Sequence, residues 1–368
     1  MAGLSIMKSH TVPRRLLEQF AFPDGHTKSL RLWRYRKGLP PRCDVAPKKA
    51  SQIPRYFGNS NDPQQEMVLE QRLNAEVESP VHLFLPKLAS GQLCFDDHVR
   101  AKLARYIVLL FSRSRARRQG MAITQALRRR LLGEALDCET CMQTAATSWN
   151  LQVHLSGVRT ARLFEPRDIR AIVSAKLIDA ETETDQQDAF ASWIKHLLDT
   201  KTDDTRLADG RWHLLRTSEQ DPFLLSDSPV ISYTRRIDGQ VAWGEGFNRP
   251  TVEVILPISP TACLHILPSH NVQDWNPPTT EEVNILQAKF IHESGYTNRC
   301  TTHLESMVNE YAGKAKIGEN CYTVDSRRTM YYLLDTLIQT GPPQRFLERA
   351  RNTPRPWQHE ASRRTLPR

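Results

Sequence analysis

No apolar run in this chain is long enough to cross a membrane as a helix. The longest, YIVLLF at 106–111 and VEVILPI at 252–258, fall well short of the ~20 residues a span requires. The opening MAGLSIMKSH meets charge and proline before any apolar core of useful length, which argues against a secretory leader. Seven cysteines, odd in number and scattered, make no disulfide framework and fit a reducing compartment. Also missing are HExxH, P-loop, GxGxxG and GxSxG runs, a DEDD-like series and a clean PD…(D/E)xK arrangement, so no common catalytic signature assigns a reaction. The expectation is a soluble, cytoplasmic protein with no membrane partner. No coiled-coil seam points to an oligomer.

What is present is an ordinary globular composition, 39% apolar and 25% charged over 368 residues, with a net charge of +9. That charge is unevenly placed. Between Val99 and Gly133 there are ten Lys or Arg and no Asp or Glu, including SRSRARRQ at 112–119 and Arg128–Arg130. The last 28 residues add seven arginines against Glu348 and Glu360, whereas acids gather in DAETETDQQD at 179–188. Two basic surfaces and a nucleic-acid partner follow as expectations, against the ordinary alternative of a solvated charged face. Cys138 and Cys141 have the spacing of half a zinc site or a redox pair, but with no second CxxC they read as structural thiols.

Periodicity divides the chain into four parts. Residues 1–62 form an N-terminal α/β segment, with helical spacing in Arg14–Phe22 and a strand at 29–35. Residues 63–200 read as a helical bundle. In it Met67, Leu69, Leu73 and Val77 recur at helical intervals, Pro80 ends or kinks the first helix, and Asp96 or Asp97 caps a long one. Residues 201–340 are β-rich, with strand candidates at 212–217, 223–227, 230–234, 240–244, 252–259 and 262–268. Helices follow at 281–294, capped by Thr280, at 302–312 and near 326–339. Residues 341–368 are a basic tail. The fold class is α+β: an N-terminal segment and helical bundle, then an antiparallel sheet with terminal helices.

Several short motifs, in order, carry a resemblance: His10-Thr-Val-Pro13-Arg14 with Leu17 and Phe20; Leu69-Glu70 and Glu78; the helix LARYIVLLFSRSR ending on Arg113 or Arg115; Ser226-Asp227-Ser228-Pro229; Pro257-Ile-Ser-Pro260; and Asn284 in a later helix. In that order the chain resembles a bacterial family known as domain of unknown function 4238, over roughly residues 8–300. Two departures stand out. Ser228 replaces an Asn, which weakens any role for that amide, and Thr11 replaces an aromatic, which puts a stacking role there in doubt. The resemblance implies candidate positions and no activity.

Chemically those positions mix His, Glu, Asp and Arg. Glu70 and Glu78, eight residues apart, span slightly more than two helical turns and can face one cleft. The expected catalytic group is His10, Glu70, Glu78 and Asp227. Glu70, Glu78 and Asp227 would hold a divalent cation such as Mg or Mn, and Arg14, Arg113, Arg115 and Asn284 would bind substrate. The function expected is a nucleic-acid-associated protein, a metal-dependent nuclease of bacterial defence or toxicity. The alternative is a non-catalytic binding or regulatory protein whose His/Glu/Asp/Arg network is structural, with Ser226–Pro229 a turn and the glutamates partners of Arg14 and Arg115.

Overall fold

A computed structural model describes residues 8–315, apart from 26, 28, 55, 58–62, 156–163, 179–182, 201, 236–240, 244–246, 248–250 and 268–275. At 8, 63, 65, 122–129, 152–155, 172, 175–178, 183–189, 202–204 and 242–243 it describes backbone alone. The helix expected near 326–339 and the arginine-rich tail lie outside the described residues.

The fold is α+β. The first part runs β1 (Lys8–His10), α1 (Arg14–Gln19), β2 (Phe22–Pro23), β3 (Leu30–Arg36), β4 (Leu39–Val45) and β5 (Gln52–Pro54). Helical segments follow: α2 (Pro63–Arg72), a π-helical turn (Leu73–Glu78), α3 (Ser79–His82), α4 (Leu85–Ala89), α5 (Asp97–Ser112), α6 (Arg115–Leu136), α7 (Glu139–Leu155), α8 (Pro166–Ile178), α9 (Glu183–Asp199) and α10 (Thr202–Ala208). The remainder is β6 (Arg211–Arg216), β7 (Leu225–Ser226), β8 (Ile231–Arg235), β9 (Val241–Trp243), β10 (Val252–Ser259), β11 (Ala262–Leu267), α11 (Thr280–Lys289), β12 (Gly295–Thr297) and α12 (Thr302–Tyr311).

Two compact units result, one built from Met1–Met121 and Thr184–Asn320, the other containing Ala122–Glu183. The helical stretch read as one bundle over 63–200 is therefore divided between them. In the second unit Leu131, Ala135, Met142, Trp149, Phe164 and Ile169 make a separate core, with Trp149 stacked on Phe164 at 4.6 Å.

In the first unit one sheet has the strand order β6-β11-β10-β8-β9, and every residue of VEVILPIS in its central strand is buried. Burial on both faces explains why that strand is a nearly unbroken apolar run. A second sheet follows β2-β3-β12-β7, with β4 pairing β3. It joins chain ends: Tyr35 opposes Gly295, and Gly295 opposes Ser226. β1 pairs with β5, setting His10 opposite Gln52.

The segment that carries the glutamates is wound more loosely than an α-helix. Leu69, Leu73, Val77, Val81 and Leu85 are all buried and recur at every fourth residue, whereas Met67, expected in the same stripe, is 44% exposed. A strict four-residue repeat drifts by ~40° per step on an α-helix. A stretch averaging α and π winding keeps it on one face. The Ser79 N–H accordingly donates to the carbonyl of Asn74, five residues back. The wide turn also lets the helical path continue through Pro80, which has no N–H to give to the preceding turn. With ~82° per residue in the π turn, Glu78 lies about 10° from Glu70 in projection, against about 80° for a continuous α-helix.

Candidate functional site

Glu66, Glu70 and Glu78 stand along this loosely wound segment. Glu66 is buried, and its Oε1 accepts hydrogen bonds from the Ser9 hydroxyl (2.9 Å) and the Phe57 N–H (3.1 Å), tying the helix to β1 and to the loop after β5. At the end of the π turn Glu78 Oε1 meets Arg113 Nη1 at 2.5 Å. Arg113 is the C-cap residue of α5, where a positive charge is also favoured by the helix dipole, and it is 2% exposed. Tyr106, two turns earlier on α5, is fully buried, and its ring stands edge-on to that of His82 at 6.1 Å. His10 Nε2 lies 3.1 Å from the carbonyl oxygen of Lys48.

Arg113 and Tyr106 thus form the floor of a polar group, with His10, Glu70, Glu78 and His82 half-buried around them. Burial raises the Glu70 carboxyl to about 7; Glu78 and Glu66 add to the rise, while Arg113 and the Ser9 hydroxyl oppose it. Burial also lowers the His10 imidazole below its ordinary value, with Arg113 and Arg14 assisting, and pushes His82 down to about 4. Burial works against the Arg113 charge, but Glu78 and Glu70 more than restore it. The consequence is an imidazole held below its ordinary value and a carboxyl raised to about 7, both within the electrostatic influence of Arg113.

Of the expected site residues, Glu78 pairs with Arg113, and the Arg113 charge is felt at His10 and Glu70. Asp227 does not join them. Its carboxylate accepts the backbone N–H groups of His292 (3.0 Å), Glu293 (2.8 Å) and Ser294 (3.3 Å), pinning the turn before β12. Burial raises its pKa, and those same N–H groups hold it back. Its neighbours complete a brace. Ser226 donates from its hydroxyl and its N–H to Gln287 Oε1, and Ser228 Oγ accepts the Ala116 N–H in the first turn of α6. Among the described residues no three His, Cys, Asp or Glu side chains are arranged to hold a metal ion. Of the expected cation ligands, Glu70 and Glu78 influence each other beside Arg113, while Asp227 is committed to backbone donors.

The expected substrate-binding residues also divide. Arg113 lies in the group. Arg14 is exposed and bonded to Glu18 at 2.7 Å, close enough to His10 to lower its pKa; Arg15, likewise exposed, affects His82. Arg115 pairs with Glu293 at 2.8 Å, beside Asp227. Asn284 is fully buried and accepts from the Leu224 N–H (2.8 Å) while donating to the Pro222 carbonyl (3.0 Å). Its amide braces the entry to β7.

Sequence reading missed Glu66, His82 and Tyr106. A helical signal was there for the first two: Glu66 is four residues before Glu70, and His82 four after Glu78. Tyr106, seven before Arg113, read only as the first residue of the apolar run YIVLLF.

Among the described residues of 99–133, several arginines are engaged with the fold, whereas Arg130 is exposed. Arg100 pairs with Asp97, Arg105 donates to the Thr200 and Leu198 carbonyls, and Arg117 lies over the Phe111 ring. Arg118 donates to the Tyr56 carbonyl at 3.1 Å and covers the Tyr56 ring at 4.8 Å. In the second unit the Cys141 N–H meets Cys138 Sγ at 3.4 Å in the first turn of α7, and the two thiols are not bridged.

Fold and site together define an α+β protein with a half-buried His–Glu–Arg group laid across a π-helical turn. The chain belongs to the family described as Protein of unknown function (DUF4238), whose model matches residues 8–294. Comparison with curated proteins and with solved structures gave no match. No helix among the described residues is long and apolar enough to cross a membrane.

Proposed function

We propose that this chain is a nucleic-acid-associated protein that cleaves a phosphodiester by proton transfer, with His10 as general base and Glu70 as general acid. The observation that supports the reading is the 2.5 Å Arg113–Glu78 pair with half-buried His10 and Glu70 under its influence, burial lowering the imidazole and raising the carboxyl to about 7. At neutral pH each is then in the form its role requires. RNA carries its own nucleophile, the 2′-hydroxyl, next to the scissile phosphorus, so the reading takes RNA as the substrate. His10 takes the proton of the 2′-hydroxyl, that oxygen forms a bond to phosphorus, and the bond to the 5′-oxygen breaks. Glu70 protonates the leaving oxygen, giving a 2′,3′-cyclic phosphate and a free 5′-hydroxyl. Arg113 offsets charge on the phosphoryl oxygens, and the exposed Arg14 and Arg15 draw the polyanion to the rim.

The test is cleavage of a labelled RNA oligonucleotide by the full chain in excess EDTA between pH 5 and 9, with the DNA analogue as control. Cleavage of RNA alone is expected, with a bell-shaped profile peaking on the acid side of pH 7 and loss of at least ~100-fold in both His10→Asn and Glu70→Gln. Absence of cleavage, or cleavage that needs a divalent cation, refutes the mechanism.

A second reading, a non-catalytic protein in which the group is a clamp, is favoured by the 2.5 Å Arg113–Glu78 pair and the three N–H groups on Asp227. It predicts that the two substitutions alter stability while RNA is neither bound nor cut.

A further inference from the structure

Arg113 uses only half of its hydrogen-bonding capacity. Nη1 is held by Glu78, but Nε and Nη2, the two donors along its other edge, have no partner although the side chain is almost wholly buried. Buried donors are nearly always satisfied, because an unmade hydrogen bond costs the full desolvation of the group. Three more buried polar atoms without a partner belong to side chains whose charges are felt at Arg113 or that feel its charge: Glu70 Oε1, His82 Nε2 and Tyr106 Oη. They come from α2, α3 and α5, so one distorted turn does not account for them.

We propose that the Nε–Nη2 edge of Arg113, with the Tyr106 hydroxyl beside it, is the seat of the two non-bridging oxygens of a phosphodiester, and that this seat prefers a monoanion to a phosphate dianion. The inference rests on the phosphodiester reading above and names the contact that holds the reacting group. The planar fork of a guanidinium matches two oxygens on one phosphorus, and a tyrosine hydroxyl adds a third donor. The preference follows from the surrounding charge. Glu78 already balances Arg113, and the Glu66 carboxylate lies close enough to Glu70 to raise its pKa, so each further negative charge on the ligand meets repulsion. A diester brings one charge, and inorganic phosphate above neutrality brings two.

Phosphorus NMR titration of the full chain at pH 8 with dimethyl phosphate and with inorganic phosphate tests both parts. Saturable binding of dimethyl phosphate is expected, with inorganic phosphate about tenfold weaker or more. Arg113→Lys should abolish the binding but risks the fold, so Tyr106→Phe is the deciding variant. It removes a hydroxyl with no protein partner, and its thermal midpoint should match or exceed that of the wild type. Its affinity for dimethyl phosphate should fall about fivefold. Unchanged affinity in Tyr106→Phe, or no saturable binding, overturns the seat; equal affinity for the dianion overturns the charge preference. If dimethyl phosphate binds with the expected dependence and RNA is not cut, the seat stands and the hydrolytic reading falls. RNA cleavage indifferent to Tyr106 removes the seat alone.

Discussion

Replacing Glu70 by Gln should make the protein more stable at alkaline pH while removing the proposed RNA cleavage. The carboxyl is largely buried, one of its oxygens has no partner, and its pKa rises from 4.5 to about 7, mainly through burial. A carboxyl whose folded pKa lies above its unfolded value adds most stability below the unfolded pKa. That stability is lost as pH rises through the folded pKa. At ~1.4 kcal/mol for each tenfold change in proton affinity, the charged Glu70 costs the folded state ~3 kcal/mol by pH 8, of which ~2.5 kcal/mol develops between pH 5 and 8. Glutamine is close in shape and never ionises, so this part of the pH dependence should vanish. Urea unfolding of wild type and Glu70→Gln at pH 5 and pH 8 measures the effect directly. The variant should be slightly altered at pH 5 and ahead by roughly 2–3 kcal/mol at pH 8. If its pH dependence matches the wild type, Glu70 is charged in comfort, and both the burial argument and its role as an acid near neutrality fail.

Two further substitutions probe the frame around the site. Asp227→Ala leaves three N–H groups, that of Ser294 buried, without their acceptor and should cost ~2–4 kcal/mol in urea unfolding, whereas Asp227→Asn, which keeps one carbonyl oxygen, should cost about 1–2 kcal/mol. Equal losses would mean that shape and not acceptance sets the role of Asp227. In Gly295→Ala a Cβ would stand 2.7 Å from Ile291 Cδ1 and 3.0 Å from Leu224 Cδ1, so ~1–3 kcal/mol should be lost to crowding between β12 and its neighbours, read as a lower thermal midpoint.

Local grammar was legible wherever one element could be judged by itself. VEVILPIS at 252–259 matched a strand residue for residue, and Asp96 caps α5 through a 2.8 Å bond to the Val99 N–H. The start of α11 was placed one residue late, because Thr279 and Glu282 form a reciprocal cap ahead of Thr280. β4 carries no strand signal of its own in the sequence, with Pro40 and Pro41 inside it. The paired positions are Leu39, Arg42 and Val45, so both prolines fall between pairings on an edge strand that needs no N–H from them. Pairing of β3 with β12 joins residues some 260 apart, and no period in the sequence reports a partner. The same limit governed the site. His10, Glu70, Glu78 and Arg113 could be nominated by residue type, but Asp227 resembled them chemically and only the backbone of 292–294 shows what occupies it.

The π-helical turn separates residue count from direction. Glu70 and Glu78 are eight residues apart, yet the wide turn leaves them within about 10° of one line, and seven residues of plain α-helix would leave them within about 20°. Asn74 and Ala75, at the outside of the turn, are exposed. A homologous chain one residue shorter there would present the same two carboxylates to the same arginine. Such a site is inherited as an angle, and a search that fixes the interval between the glutamates will pass over chains that carry it.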